Sequence, residues 1–310
     1  MKSVAVNDEG LVAGLRSEMV GRTREIEAIV AMRATGRHVL IEGPPGTGKS
    51  TLLRALAELD GRGFEFVEGN AELTPARLIG SFDPAAVLES GYSPDVFIDG
   101  PLAAAMRDGS LLYIEEINRI PEETINVLIT VMSEGELHVP RLGAIEAAEG
   151  FQMVAAMNPF DAVGTARISS AVYDRCCRLE MGYQSTEEET LIVGRSAGSQ
   201  IATVGTGVVG RVVELVRATR THADLRSGSS VRGAIDLTLL MAELARLRRL
   251  PHLDPGVSRD ATQLALSGRV RVREGCGRSA AEVIEELWRR WLAPAEGDDQ
   301  DSPEASDPKA

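Results

Sequence analysis

Gly43-Pro44-Pro45-Gly46-Thr47-Gly48-Lys49-Ser50 has the residue types and spacing needed to hold phosphate. A glycine-rich turn of this kind aims consecutive backbone N–H groups at an anion, at the positive end of the helix that follows. Lys49 can then reach the outer phosphates of a nucleoside triphosphate, and the Ser50 hydroxyl can hold Mg²⁺, with Thr51 beside it at the helix start. A second group is Glu115-Glu116, which closes the apolar run Leu111-Leu-Tyr-Ile. Carboxylates at a strand end can serve the metal, directly or through a water (Glu115), and orient an attacking water (Glu116). Asn158 ends a third apolar run, where its amide can bond the terminal phosphate or the lytic water; Asn-Pro is also an ordinary turn pair.

These groups need a frame of alternating strands and helices. Residues 38–42 read as a buried strand and 50–59 as a helix, so the glycine turn joins a βα unit. Further strands are expected at 64–68, 110–115, 151–157 and 178–181, with helices at 16–36, 102–107 and 122–132. Val20-Gly21-Arg22 breaks the start of the first helix. This order predicts an α/β fold: a parallel sheet flanked by helices, with ligands at its carboxyl edge. Residues 70–101 read as irregular apart from an apolar piece at 73–78. A hairpin is expected over 137–149, with Pro140 confining it to an edge or excursion. The glycine-rich stretch 194–210 reads as a joint, followed by helices near 208–220, 231–249, 258–268 and 279–292. The expected division is 1–204 for the α/β domain, 205–293 for a smaller all-α domain and 294–310 for a disordered acidic tail.

Composition narrows the class. Of 310 residues, 44% are hydrophobic and 25% charged, enough to bury a sizeable core. No run approaches the roughly 18 apolar residues of a membrane span. An acid pair stands where a secretory leader needs an apolar stretch. Cys176, Cys177 and Cys276 have neither disulfide nor metal spacing, which fits a reducing, cytoplasmic setting. The net charge is −13, and residues 1–204 alone carry −13, residues 205–293 carry +5 and the tail −5. An acidic main body with only 4% aromatics argues against nucleic acid as a partner.

The phosphate loop together with LLYIEEINR, VAAMNP, Asp174-Arg175 and SSVR resembles the AAA+ ATPases, specifically the MoxR family and its relatives among magnesium-chelatase motor subunits. The likeness runs from about Met19 to Trp291, and Ile117-Asn118-Arg119 after the acidic pair is its most specific part. The resemblance implies a ring, usually a hexamer, with ATP and Mg²⁺ between subunits, and a helical lid after the core. It also implies a helix-2 insert at about 70–99 and a hairpin before the sensor strand at about 134–150. It makes Arg175 the arginine finger given to the neighbouring subunit, with Arg167 as a competing candidate. Arg232 becomes the sensor arginine at the start of a lid helix, and Val20-Gly21-Arg22 the segment packed near adenine.

The function so implied is ATP hydrolysis that remodels, assembles or activates a client protein, often beside a partner with a von Willebrand A domain. Two alternatives stand: a chelatase-type motor that powers metal insertion, and an ATP-binding switch with little turnover. The chain departs from the family in having Glu115 where Asp is common, and Cys176-Cys177 where Phe often follows the Asp-Arg pair. Those cysteines are expected to fill a core gap.

Overall fold

The computed structural model describes residues 7–159, 168–198 and 204–294. The chain opens with α1 (Asp8–Glu18), capped by the Asn7 side chain, which accepts from the Gly10 N–H at 2.8 Å. α2 (Thr23–Ala34) follows. The helix expected over 16–36, its start broken at Val20-Gly21-Arg22, is thus two helices that meet at that break. Gly21 and Arg22 take φ of 67° and 64°, a left-handed pair that reverses the chain between them.

β1 (Val39–Glu42) leads through the phosphate loop into α3 (Lys49–Asp60), and β2 (Phe64–Glu68) follows. The segment read as irregular is structured: α4 (Pro75–Ile79), β3 (Gly80–Phe82), α5 (Pro84–Ser90) and β4 (Phe97–Asp99). β3 and β4 pair antiparallel. Each piece is too short to show periodicity, and the only sequence signals are Pro75 and Pro84 in first helical turns behind Thr74 and Asp83 caps. α6 (Pro101–Asp108), β5 (Leu111–Glu115) and α7 (Glu122–Glu134) complete the approach to the hairpin β6 (Glu136–Val139) and β7 (Gly143–Glu146). Pro140 sits at the hairpin turn, outside the ladder, and Leu137, Val139 and Ile145 are buried beneath it. β8 (Gln152–Met157), α8 (Ser170–Arg175) and β9 (Cys177–Glu180) end this unit. Arg167 lies outside the described residues.

The central sheet has the order β2-β5-β8-β1-β9, and its pairs are parallel. Because successive strand residues face opposite ways, the sheet divides its side chains between two cores. Val39, Ile41, Leu111, Tyr113, Val154 and Ala156 pack with α1, α2 and α3. Leu40, Leu112, Ile114, Met153, Ala155 and Met157 pack on the other side with α6, α7, the hairpin and Val172 of α8.

The division between compact units falls between Tyr183 and Gln184. The expected joint at 194–210 lies beyond it, because α9 (Thr186–Ala197) buries Val193 in the core of the second unit. That unit continues with α10 (Thr206–Thr221), β10 (Leu225–Ser227), α11 (Val231–Arg248), α12 (Pro255–Leu266), β11 (Arg271–Val272) and α13 (Ala280–Trp291). It is helical but for the small β10–β11 ladder. Val212, Val216, Leu237, Met241, Ile284 and Leu287 form its centre, each side chain stabilising the unit by about 1.5–3 kcal/mol on burial. Ser185 and Ser279 open α9 and α13 with capping boxes, each matched by a glutamate three residues on. The acidic tail lies outside the described residues from 295 onward.

Candidate functional site

The phosphate loop takes its shape from its glycines. Gly46 and Gly48 have φ of 76° and 89°, and Gly48 caps α3. Gly43 is fixed by packing instead: a Cβ there would lie 2.1 Å from the Met181 carbonyl oxygen, at the far end of β9. The Gly43 N–H donates to Met157 O at 3.1 Å, which ties the loop to the end of β8. Lys49 is buried, and its ammonium donates to the Gly43 and Pro44 carbonyls at 3.0 Å each. Thr47 is buried and donates to Pro44 O, while Pro45 and Thr51 are exposed.

Arg22, the last residue of the Val20-Gly21-Arg22 segment, makes bonds that the sequence did not show. Although 7% exposed, it spans three segments: its guanidinium donates to Thr47 O at 2.9 Å, Gly182 O at 2.8 Å and Glu25 Oε1 at 3.0 Å. It thereby locks Val20-Gly21 to the phosphate loop and to the chain after β9. No spacing rule announces the bonds to Thr47 and Gly182, since both are to backbone oxygens distant in sequence.

The structure brings Ser50 and Glu115 together. Ser50 Oγ stands 3.4 Å from both carboxylate oxygens of Glu115 and 3.5 Å from the Tyr113 hydroxyl. Tyr113 is fully buried, and burial pushes its phenol well above its ordinary pKa, so it remains a neutral donor. Phe64 and Phe66 tilt against its ring, with the Arg54 guanidinium 5.0 Å from the Phe64 centroid. A hydroxyl and a carboxylate at the end of a phosphate loop are hard oxygen donors of the kind Mg²⁺ takes when it arrives with a nucleotide's phosphates. Among the described residues no group of three or more His, Cys, Asp or Glu is arranged to hold a metal. The residues present therefore fit a nucleotide-borne ion.

Glu116 follows in a left-handed conformation, φ 55°, unusual for a residue with a Cβ. Its carboxylate pairs with Arg119 Nε at 3.1 Å. The turn rests on Gly69, whose N–H donates to Glu115 O at 2.7 Å; a Cβ on Gly69 would stand 2.4 Å from Glu116 O. Asn158 follows Met157, the residue paired with Glu42 across β8 and β1, so it stands level with the start of the loop. Together these strand ends can bind a triphosphate, hold its metal and position a water.

Arg175 ends α8, one-third exposed, where it donates to Ser133 Oγ and, at 3.0 Å, to Ala171 O. The adjacent Cys176 packs its sulfur 3.6 Å from Met132, and burial pushes its thiol up to about 12. Cys177 is exposed. In the second unit, Arg232 is exposed at the second position of α11. The segment before it is held by a network that the sequence did not reveal: Glu189, 2% exposed, pairs with Arg220 at 2.8 Å and Arg217 at 3.3 Å. Arg220 Nε in turn donates to Ser229 O at 2.8 Å.

A phosphate loop between β1 and α3, with carboxylates at the end of β5 one strand beyond β8, defines a P-loop nucleotide-binding protein. The family model of the AAA domain (dynein-related subfamily) matches residues 38–176. Among curated relatives, an uncharacterised Staphylococcus epidermidis protein is 30% identical over 210 residues, covering 67% of this chain and 79% of its own. The uncharacterised YeaC of Bacillus subtilis is 29% identical over 262 residues, 76% and 78% of the two chains. Two solved structures share the fold. RuvB of Thermotoga maritima has a TM-score of 0.56 at 19% identity, over 80% of this chain and 71% of its own. A Cytophaga hutchinsonii protein that carries an ATPase assignment has 0.52 at 21%, over 91% and 93%. The chain belongs to the AAA+ ATPases. No helix among its described residues is long and apolar enough to cross a membrane.

Proposed function

We propose that this protein is a MoxR-type AAA+ ATPase, working in the cytoplasm as a ring of six subunits, that hydrolyses ATP to remodel or activate a client protein beside a von Willebrand A domain partner. The observation that carries the catalytic part is the meeting of Ser50 with Glu115 beneath a loop already folded around Lys49. In this reading Gly43 to Thr51 cradle the phosphates, Val20-Gly21 meets adenine, and Ser50 and Glu115 hold Mg²⁺. Bound there, the ion would draw charge from the transferring phosphoryl group. Glu116 positions the attacking water, and Asn158 bonds that water or the terminal phosphate. Arg232 contacts the same subunit's nucleotide. Glu115 substitutes for the family's usual Asp, and its contact with Ser50 supports the longer side chain in the metal role.

Phosphoryl transfer also needs a cation at the far side of the terminal phosphate, and Arg175, supplied by the neighbouring subunit, is the group proposed for it. A finger of this kind contributes on the order of 10³–10⁵ in rate. The hairpin β6–β7 and the insert β3–α5–β4 are the proposed client-facing parts. Supporting that reading, the Arg141 guanidinium at the hairpin turn stands 4.0 Å over the ring of Tyr92 in the insert, so the two can move together.

Mixed rings test the assignment. An Arg175→Ala subunit keeps its cradle, and a Glu116→Gln subunit keeps its finger while failing to turn over. Each alone should be nearly inactive, and the mixture should recover ATPase activity. Specific activity of the wild type should rise with protein concentration. Absence of recovery in rings shown to be mixed would falsify the shared site.

A further inference from the structure

Among the buried charges that the proposed reaction does not use, one stands beside the phosphate loop. Glu42 ends β1, one residue before Gly43, and is 4% exposed. It lies on the same strand face as Leu40, whose cluster includes Val172 of α8, while Val39 and Ile41 face α3. Its carboxylate is therefore on the side of the sheet away from Lys49. There it meets partners from the end of the unit. The Tyr173 hydroxyl donates to Oε1 at 2.8 Å, and Arg178 brings Nε and Nη2 to Oε2, each at 2.5 Å. A buried carboxylate is costly without such donors, so it fixes where both side chains stand.

Tyr173 and Arg178 flank Arg175 in the chain, Tyr173 on α8 itself and Arg178 on β9. α8 buries only Val172, and its other tie is from Arg175 itself to Ser133 of α7. We infer that Glu42 is a positioning residue for the finger: through Tyr173 and Arg178 it holds α8, and the Arg175 that α8 carries, to the strand that ends in the subunit's own phosphate loop. The inference rests on the trans-finger reading above. It adds a direction to that reading, because a shift at the Glu42–Gly43 junction when one subunit binds nucleotide is passed to the site of the next.

The mixed rings described above can locate the effect of Glu42→Gln. Placed in the finger donor (with Glu116→Gln), it should lower the recovered activity on the order of 10–100-fold, as misplacing a catalytic group does. Placed in the acceptor (with Arg175→Ala), whose own finger is idle, it should leave the recovery unchanged. A merely structural role would not produce this asymmetry. Affinity for a fluorescent ATP analogue should match wild type in the single variant. Tyr173→Phe, which removes only the hydroxyl, repeats the test with less risk to folding and should show the same asymmetry. Equal loss in both placements, no loss in the donor, or weakened analogue binding each overturns the inference. If the pair without Glu42→Gln fails to recover, the shared site itself is wrong and the inference goes with it, so the two failures are told apart.

Discussion

On the α3 face of the central sheet, Lys49, Ser50, Tyr113 and Glu115 gather within a loop and two strand ends. On the opposite face, Glu42, Tyr173, Arg178, Ser133 and Arg175 gather from β1, α7, α8 and β9. In the first group a contiguous motif sets the backbone of Lys49 and Ser50, and contacts with Tyr113 and Glu115, 63 and 65 positions away, complete it. The second depends on bonds between residues 131 and 136 positions apart. The difference teaches that a P-loop unit sets its phosphate cradle through a contiguous motif, while the placement of Arg175 on the other face hangs on long-range polar contacts.

Substitutions on the α3 face should break the subunit's own chemistry, and the largest effect is expected from Glu116→Gln. ATP should stay bound while turnover falls about 10²–10⁴-fold, measured as single-turnover hydrolysis. Near-normal turnover would move the water-positioning role to Glu115. Lys49→Ala should act earlier, weakening MgATP binding on the order of 100-fold in calorimetry, because a charged contact to phosphate is lost. Unchanged affinity would sink the cradle assignment.

A smaller effect is expected where the α3 face is supported from behind. Gly69→Ala forces a Cβ against the Glu116 carbonyl and should lower stability by about 1–3 kcal/mol in urea unfolding. Turnover should drop with it although Gly69 touches no ligand. Tyr113→Phe removes the hydroxyl near Ser50 and Glu115 and keeps the ring packing. The Mg²⁺ concentration needed for nucleotide binding should rise about tenfold; an unchanged titration would make Tyr113 a packing residue alone.

The smallest effect lies at the other end of the same strands, where no ligand is expected. His38 Nδ1 accepts from the Met153 N–H at 3.0 Å, and burial lowers its pKa, so the folded ring is neutral. The unfolded chain takes up a proton below about pH 6.5 that the folded one resists. Stability should therefore be full above that value and fall as the pH drops below it. His38→Gln should flatten the dependence in thermal melts between pH 5 and 8. An equal slope in both proteins would assign the acid sensitivity to other groups.

Much of the fold was legible. The inner strands β1, β5 and β8 each match an apolar run, because a strand buried on both faces reads as continuous hydrophobicity, while the edge strands β2 and β9 mix apolar with charged residues. The break at Val20-Gly21-Arg22 was legible, but most of α1 ahead of it was not, because only Leu11 and Leu15 of that helix are buried and two positions are too few to show a period. The insert at about 70–99 was expected from the resemblance, but β3, α5 and β4 within it went unread because each is shorter than the period that would reveal it. In the site, the motif residues were legible but their supports were not: Arg22, Gly69 and Tyr113 act through backbone oxygens or through partners brought close only by folding.

The sequence by itself determined the phosphate loop, the order of strands and helices, and the pair of carboxylates, because contiguous residues set local backbone geometry and periodic burial sets element type. Only the tertiary structure decided that Ser50 meets Glu115, that Glu116 turns left-handed over Gly69, and that Glu42 is bound to the helix carrying Arg175. Those facts depend on which strand lies beside which and on which face each side chain takes, and distance along the chain does not encode either.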